Sequence, residues 1–480
     1  MVDEERAKSL VAAALGDRDP VSMKRACLTN KSYTEEAAAV LATALQDMTS
    51  LEDVDFSDMI AGRPEEVGLC VLRAVCGAVR GHALRHIDLS DNAMGEKGIN
   101  ACRAALEGQP GLRSLKLCND GLSASAMEAV RDILLECVPT SLETLHFYNN
   151  MSGDGGAHAL AAILPLCPRL RDLRFSGTRA GADGSMAVAD ALAGSPAARD
   201  GTLERLDLAD NSFGAAGGRA LAEALLLQPG LVSLNLRDGG LGTDGLGHIL
   251  AGLARTAPGL TFLDVSGNDL DADAARPLAR CLATKPALTT FLAEENEIGS
   301  KGALRLARGL AALPAIEVVN LSTNEITTSG ATAIVKALAG KVSQHCPVAA
   351  AATAASVASL RSLELNGNGL SEKGLIHIAR MLEAAGREDA LGEMDDNDPD
   401  LEDEEADAEQ EEEDEEDLRA AAVLLRGASG IIHVEEMSAG YVLPPSSAAT
   451  AAAEEEATGG AEKPDEEVDE LADELSGIKM

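Results

Sequence analysis

The chain has 480 residues, with 40 Lys and Arg set against 79 Asp and Glu for a net charge of −39. That balance excludes nucleic acid and anionic membrane as partners, because phosphate binding needs a basic surface to displace counterions, and it favours a basic protein partner. Hydrophobic residues make up 46% of the chain but aromatics only 2%, with no Trp, so the core must be built from Leu, Ala, Val and Ile at fixed positions, as in identical packed layers.

Residues 1–25 are polar and helical in character, suited to capping the exposed end of a repeat array. The opening "MVDEERAKSL" has neither the basic start nor the apolar stretch of a signal peptide, and no apolar run approaches the ~20 residues that span a bilayer. A soluble, intracellular chain is expected. The nine Cys form no CxxC pair, and Cys102, Cys167 and Cys281 fall on apolar helix positions, which fits a reducing compartment.

From residue 26 a phrase returns about every 28 or 29 residues: a short apolar strand, an Asn, then a Gly-led helix. It reads "HIDLSDNAMGEKGINACRAALE" from His86 and "RLDLADNSFGAAGGRALAEALL" from Arg205. These are leucine-rich repeats. The fold class expected for residues 26–388 is therefore α/β, a ribonuclease-inhibitor-like horseshoe with parallel strands on the concave side and helices on the convex side. Apolar residues at i and i+2, such as Leu206 and Leu208, point into the core by strand alternation.

The Asn of each strand-to-helix turn serves as a ruler, with marks at Met59, Asn92, Asp120, Asn150, Thr178, Asn211, Gly239, Asn268, Asn296, Asn324 and Asn368. Its side chain is expected to bond backbone groups of its own turn and of the neighbouring one. Three intervals run long: before Asn92, before Asn211 and before Asn368. The first carries the polar "SDMIAGRPEEVG"; the last carries the Ala-rich "SQHCPVAAAATAASVAS", read as a helix extension. From Glu393 to Asp417 the chain is almost wholly acidic, and residues 389–480 are expected to form a largely disordered, low-complexity tail.

No P-loop pattern, HExxH pair or GxSxG pentapeptide occurs, so nucleotide binding, metal binding and autonomous hydrolysis have no support in the motifs. The informative positions are those where the repeat departs from its rule. In "LKLCNDGLS" the ruler residue is Asp120, so the preceding Asn119 is expected to project from the upper edge of the array. In "FSGTRAG" the ruler is Thr178, followed by Arg179. Arg63, in "GRPEE", either pairs with its own Glu65 or Glu66 or reaches a carboxylate or phosphate of a partner. Lys116, Tyr148 and Arg179 stand at exposed strand and edge positions of the first half.

The ordered phrases "DFSDMIAGRPEE" from Asp55, "LSDNAMGEKG" from Leu89, "LCNDGLS" from Leu117, "LHFYNNMSGDGGA" from Leu145, "FSGTRAGADGS" from Phe175 and "MDDNDPD" from Met394 resemble those of the Ran GTPase-activating proteins, in particular the plant and green-algal branch. The resemblance implies that the chain stimulates GTP hydrolysis by Ran in trans, rather than being an enzyme on its own account, and so maintains cytoplasmic RanGDP for nucleocytoplasmic transport. It implies no arginine finger. An edge Asn, matching Asn119, would instead hold the GTPase's own catalytic glutamine, with Arg63, Asp91, Asn92, Lys116, Asp120, Tyr148 and Arg179 as partner-binding residues. The implied partner is Ran-GTP, alone or together with a Ran-binding protein; GTP and Mg belong to the partner and the chain needs no cofactor. A cytoplasmic, in part perinuclear, monomer is expected. The rival reading is a leucine-rich repeat scaffold or inhibitor that binds without activating. Where some members of the family carry a Lys shortly after the GR phrase, this chain has Glu65 and Glu66, and it lacks the Trp-Pro-Pro domain of land-plant forms, so envelope attachment by that route is not expected.

Overall fold

The computed structural model describes residues 1–339 and 360–397. The readings made for the Ala-rich insertion and for the tail beyond residue 397 lie outside the described residues. Among the described residues a single twelve-stranded sheet is built in strict sequence order. Its strands are β1 (Arg25–Cys27), β2 (Asp53–Asp55), β3 (His86–Asp88), β4 (Ser114–Lys116), β5 (Thr144–His146), β6 (Asp172–Arg174), β7 (Arg205–Asp207), β8 (Ser233–Asn235), β9 (Phe262–Asp264), β10 (Thr290–Leu292), β11 (Val318–Asn320) and β12 (Ser362–Glu364). Every pairing is parallel and in register, as in Leu206 opposite Leu234 and Leu234 opposite Leu263. The fold is the expected leucine-rich repeat solenoid, in which each unit touches only its neighbours.

The register follows from the sequence. The central residue of each strand is apolar and buried, Ile87, Leu115, Leu145 and Leu173 among them, while the flanking residues face outward. A one-residue slip would turn that whole apolar row outward. The helices behind the sheet pack closely through small residues. A Cβ on Gly218, in the helix Gly214–Leu226, would lie 2.7 Å from the Gly245 carbonyl oxygen of the next helix, Gly242–Leu253, so that spacing is available only to glycine.

The ruler residues form a buried hydrogen-bond ladder. Asn92 donates from Nδ2 to the carbonyls of Phe56 (2.9 Å) and Leu89 (2.7 Å), and its Oδ1 accepts the Met59 N–H at 2.9 Å. The pattern recurs at Asn150, Asn211, Asn268, Asn296 and Asn368, while Asn324 repeats the donations, to the Ala293 and Leu321 carbonyls, but its Oδ1 has no partner. Each side chain satisfies backbone groups that a tight buried turn would otherwise strand, at roughly 1–3 kcal/mol for each group left unpaired.

The two long intervals that are described have local causes. Before Asn92 the extra residues lie mostly in a longer turn, from Ile60 to Pro64, that leads into the helix Glu65–Ala78. Before Asn211 a short extra helix, Pro196–Asp200, is started by Ser195, whose Oγ accepts the Ala198 N–H, and stopped by Gly201 at φ 63. At the N-terminal end the helix Glu4–Leu15 covers the first repeat, and Val2 bridges the buried Tyr33.

The far end requires a correction. The repeat array does not stop at residue 388: Leu391 bridges Leu363, and Asn397, buried, accepts the Asn368 N–H at 2.9 Å at a twelfth ruler position. Its acidic neighbours disguise a half-repeat, since "MDDN" from Met394 is the same turn as "LSDN" from Leu89.

Candidate partner-docking edge

The turn leaving each strand places the residue before the ladder position in left-handed backbone. This holds for Asp91 (φ 64), Asn119 (φ 54), Asn149 (φ 56), Gly177 (φ 62), Asp210 (φ 54), Asp238 (φ 50) and Glu295 (φ 54). Asn, Asp and Gly tolerate this conformation best, which explains most of the choices. Stacked by the parallel register, these residues form one edge of the array. Asp58 (φ 47) and Asp91 lie on one side and Asp210 and Asp238 on the other, and between them Asn119, Asn149 and Gly177 carry no charge; beyond Asp238 the edge continues through Gly267 (φ 62), Glu295, Thr323 (φ 55) and Gly367 (φ 66). Two pairs of aspartates thus flank a neutral window.

Within that window the side chains are ordered. Asn119 donates from Nδ2 to Asp91 Oδ1 at 2.9 Å and accepts on Oδ1 from Asn149 Nδ2 at 2.8 Å. All three residues are exposed. Their backbones are held by the turn of the following repeat: the Asp91 N–H donates to Cys118 O, the Asn119 N–H to Tyr148 O and the Asn149 N–H to Ser176 O, at 2.8 to 3.0 Å.

The concave wall next to the window carries cations, each with a carboxylate. Lys116 Nζ lies 3.5 Å from Asp88, and Arg174 Nε donates to Asp207 at 3.0 Å while its guanidinium stacks over the Tyr148 ring, 4.2 Å from the centroid. His146 Nε2 and Asp172 Oδ1 are 3.0 Å apart, and Asp172 also accepts from Arg205 at 2.9 Å. Burial pushes the Asp172 carboxyl up, but the hydrogen bonds from His146 and Arg205 outweigh it and hold the group below the usual carboxylate range. Burial pushes the Tyr148 phenol up, with Cys118 adding to it and Arg174 opposing.

The residues singled out in the sequence fall into three groups. Asn119 and Asp91 meet at the exposed edge, with Lys116 and Tyr148 on the adjoining wall. Asn92 and Asp120 are corrected: they are 2% and 0% exposed, and both side chains belong to the ladder beneath the edge, so they place Asp91 and Asn119 rather than touching a partner. Arg63 and Arg179 belong to repeats two before and two after that of Asn119, about 10 Å away on either side at the usual strand spacing.

Arg179 is exposed at φ 60. Arg63 is half-buried, with Nη1 2.7 Å from Met1 Sδ and a buried Nε that has no hydrogen-bond partner. Glu65, one of the two carboxylates proposed to neutralise Arg63, instead pairs with Lys97 of the next repeat. Asn149 was missed by the sequence reading, although it precedes the ruler residue Asn150 just as Asn119 precedes Asp120.

Among the described residues no helix is long and apolar enough to cross a membrane, and no group of three or more His, Cys, Asp and Glu is arranged to hold a metal ion.

The Leucine Rich repeat family model matches residues 202–222, 258–279, 314–335 and 358–379. Among curated proteins, the chain is 38% identical over 117 residues to RAN GTPase-activating protein 1 of Arabidopsis thaliana, covering 24% of this chain and 22% of that protein. It is 40% identical over 90 residues to RAN GTPase-activating protein 2 of the same plant, covering 18% and 16%. The chain thus spans about a fifth of the length of these relatives. A longer match, 26% identical over 290 residues, is to the ribonuclease inhibitor of Mus musculus, covering 54% of this chain and 61% of that protein.

Proposed function

From the premise that the chain is a leucine-rich repeat protein similar to the Ran GTPase-activating proteins of plants, we propose that it stimulates GTP hydrolysis by Ran, acting in trans on Ran-GTP. The observation that carries this reading is the neutral window, in which an exposed Asn119 amide is held between Asp91 and Asn149. Phosphoryl transfer gains mostly from positioning and electrostatics. An ordered amide is suited to gripping another amide, such as the side chain of the GTPase's glutamine, which must itself hold the attacking water.

A neutral amide cannot supply the charge of an arginine finger, a device worth about 10³ to 10⁵ in rate. The contribution of Asn119 is therefore orientation. Arg63, half-buried beside Met1, and Arg179, exposed on the opposite side, are docking residues for carboxylates or phosphate of the partner. GTP and Mg remain on the GTPase, and the activity is cytoplasmic, maintaining RanGDP there.

The test is single-turnover hydrolysis of Ran-bound GTP at saturating wild-type protein and saturating Asn119→Ala, with binding measured separately. A wild-type acceleration that falls by about 10²-fold or more in a variant that still binds is the expected result. No acceleration by wild type would leave the second reading, a binder that does not activate, which the longer similarity to a ribonuclease inhibitor favours.

A further inference from the structure

Asp91, Asn119 and Asn149 occupy one position in three successive repeats, and the hydrogen bonds among them run in one direction. A carboxylate has no hydrogen to give, so the end of the Asn119 amide that meets Asp91 Oδ1 at 2.9 Å must be its NH2. With Nδ2 committed there, Oδ1 faces the next repeat and takes the Asn149 Nδ2 hydrogen at 2.8 Å. The row then reaches Gly177, which has no side chain to extend it. An isolated surface Asn can turn its amide over and interchange oxygen and nitrogen; this one cannot without setting its oxygen against a carboxylate oxygen.

We propose that Asp91 and Asn149 are positioning residues that fix the direction of the Asn119 amide. One N–H and one Oδ1 lone pair are left over on Asn119, in a set order, and these match the carbonyl and NH2 of a glutamine side chain. The inference rests on the proposed role of Asn119 toward the glutamine of Ran. It gives that role its geometric condition: half of the orientations of a free amide would present oxygen to oxygen. The bonds are exposed in the free protein and strengthen when docking removes water from the edge. The left-handed backbone at all three residues, each N–H hydrogen-bonded to a carbonyl of the following repeat, keeps the spacing fixed while the amide direction is set by the carboxylate.

Exchanging the two ends tests this directly. The double variant Asp91→Asn with Asn149→Asp keeps the side-chain sizes, the net charge and the number of bonds, but it moves the acceptor-only group to the other side and so reverses the Asn119 amide. In single-turnover hydrolysis of Ran-bound GTP at saturating activator, the double variant is expected to lose about 10²-fold of the stimulated rate, the usual consequence of misplacing a positioning group, and to fall well below Gly177→Asp, which places a carboxylate in the same window without touching the Asn119 bonds.

A double variant that stimulates as well as wild type overturns the inference and leaves the proposed function standing. A wild-type protein that stimulates nothing overturns both. A readout without Ran separates orientation from stability: the Asn119 side-chain NH2 resonances, identified by their absence from Asn119→Ala, are expected to lose their carboxylate-bonded downfield shift in Asp91→Asn. Resonances that do not move overturn the inference.

Discussion

Asp120 stands in the asparagine ladder directly above Asn92: its Oδ1 accepts the Asn92 backbone N–H at 2.8 Å, while its Oδ2 is buried and has no partner. At the equivalent atom Asn92 carries an NH2 that donates to the Leu89 carbonyl. Burial, only partly opposed by the Asn92 bond, raises the Asp120 carboxyl well above the usual range, which favours its protonated form in the native state.

Asp120→Asn is therefore expected to stabilise the protein at neutral pH, by about 1–3 kcal/mol, the usual cost of a buried polar group left unsatisfied. The pH dependence has a definite sign. The unfolded chain releases this proton near pH 4. The native state holds it to higher pH, so wild-type stability falls as pH rises through that interval, and the Asn variant lacks this loss. Thermal unfolding midpoints should nearly coincide near pH 4 and separate toward pH 8, the variant being higher; a constant gap would assign the effect to packing alone.

The ladder itself should be costly to interrupt. Asn268 is fully buried, donates to Leu236, Val265 and Ser266 carbonyls, and accepts the N–H groups of Gly239 and Leu241. Asn268→Ala strands several of these at once and is expected to destabilise by about 3 kcal/mol or more, on the scale of 1–3 kcal/mol per orphaned buried group. Asn268→Asp should be less harmful and should improve as pH falls, because a protonated carboxyl reproduces part of the pattern. Denaturant unfolding of the two variants at pH 5 and pH 8 checks both statements.

A chain ending at residue 388 should be less stable than one ending at residue 397. The difference is the closing half-repeat: Asn397 caps the Asn368 N–H, and Asp396 and Asn366 exchange hydrogen bonds at 2.7 and 2.9 Å. Terminal repeats depend on such caps because their outer face would otherwise be open to water. Asn397→Ala in the full chain should reproduce roughly 1–3 kcal/mol of the loss. Equal melting of the two shortened chains would remove this segment from the array.

The repeat frame was legible because two periodicities, alternation in the strand and the helical stripe behind it, recur with a punctuating Asn. Asn397 escaped because composition outweighed pattern: an Asn amid Asp and Glu reads as tail until it is aligned with the other turns. The burial of Asn92 and Asp120 was implicit in the ruler itself, which assigns that position to the turn interior. The edge bonds of Asn119 join residues 28 and 30 positions apart and become visible only once the parallel register is known. The approach of Arg63 to Met1 depends on where the chain terminus lies in space, for which no spacing rule exists.

The neutrality of the window leads to the last prediction. If the group that docks against Asn119 carries a nucleoside triphosphate, a further carboxylate in the gap would face phosphate across a dewatered contact, where like charges repel far more strongly than in water. Gly177 is the place to put one: at φ 62 it accepts Asp or Asn with little strain, and a Cβ there would lie 3.5 Å from Asn149 Cα and 3.5 Å from Asp210 Oδ2, ordinary contact distances. Gly177→Asn and Gly177→Asp share the backbone cost and nearly the same volume, so their difference isolates charge. The Asn variant should stimulate Ran-bound GTP hydrolysis to within about threefold of wild type, and the Asp variant should fall at least about tenfold below it, roughly 1.4 kcal/mol of repulsion. The gap should narrow only slightly as salt is raised, since a buried pair is poorly screened. Matching activities of the two variants would mean that the neutral window serves the backbone turn and not the partner.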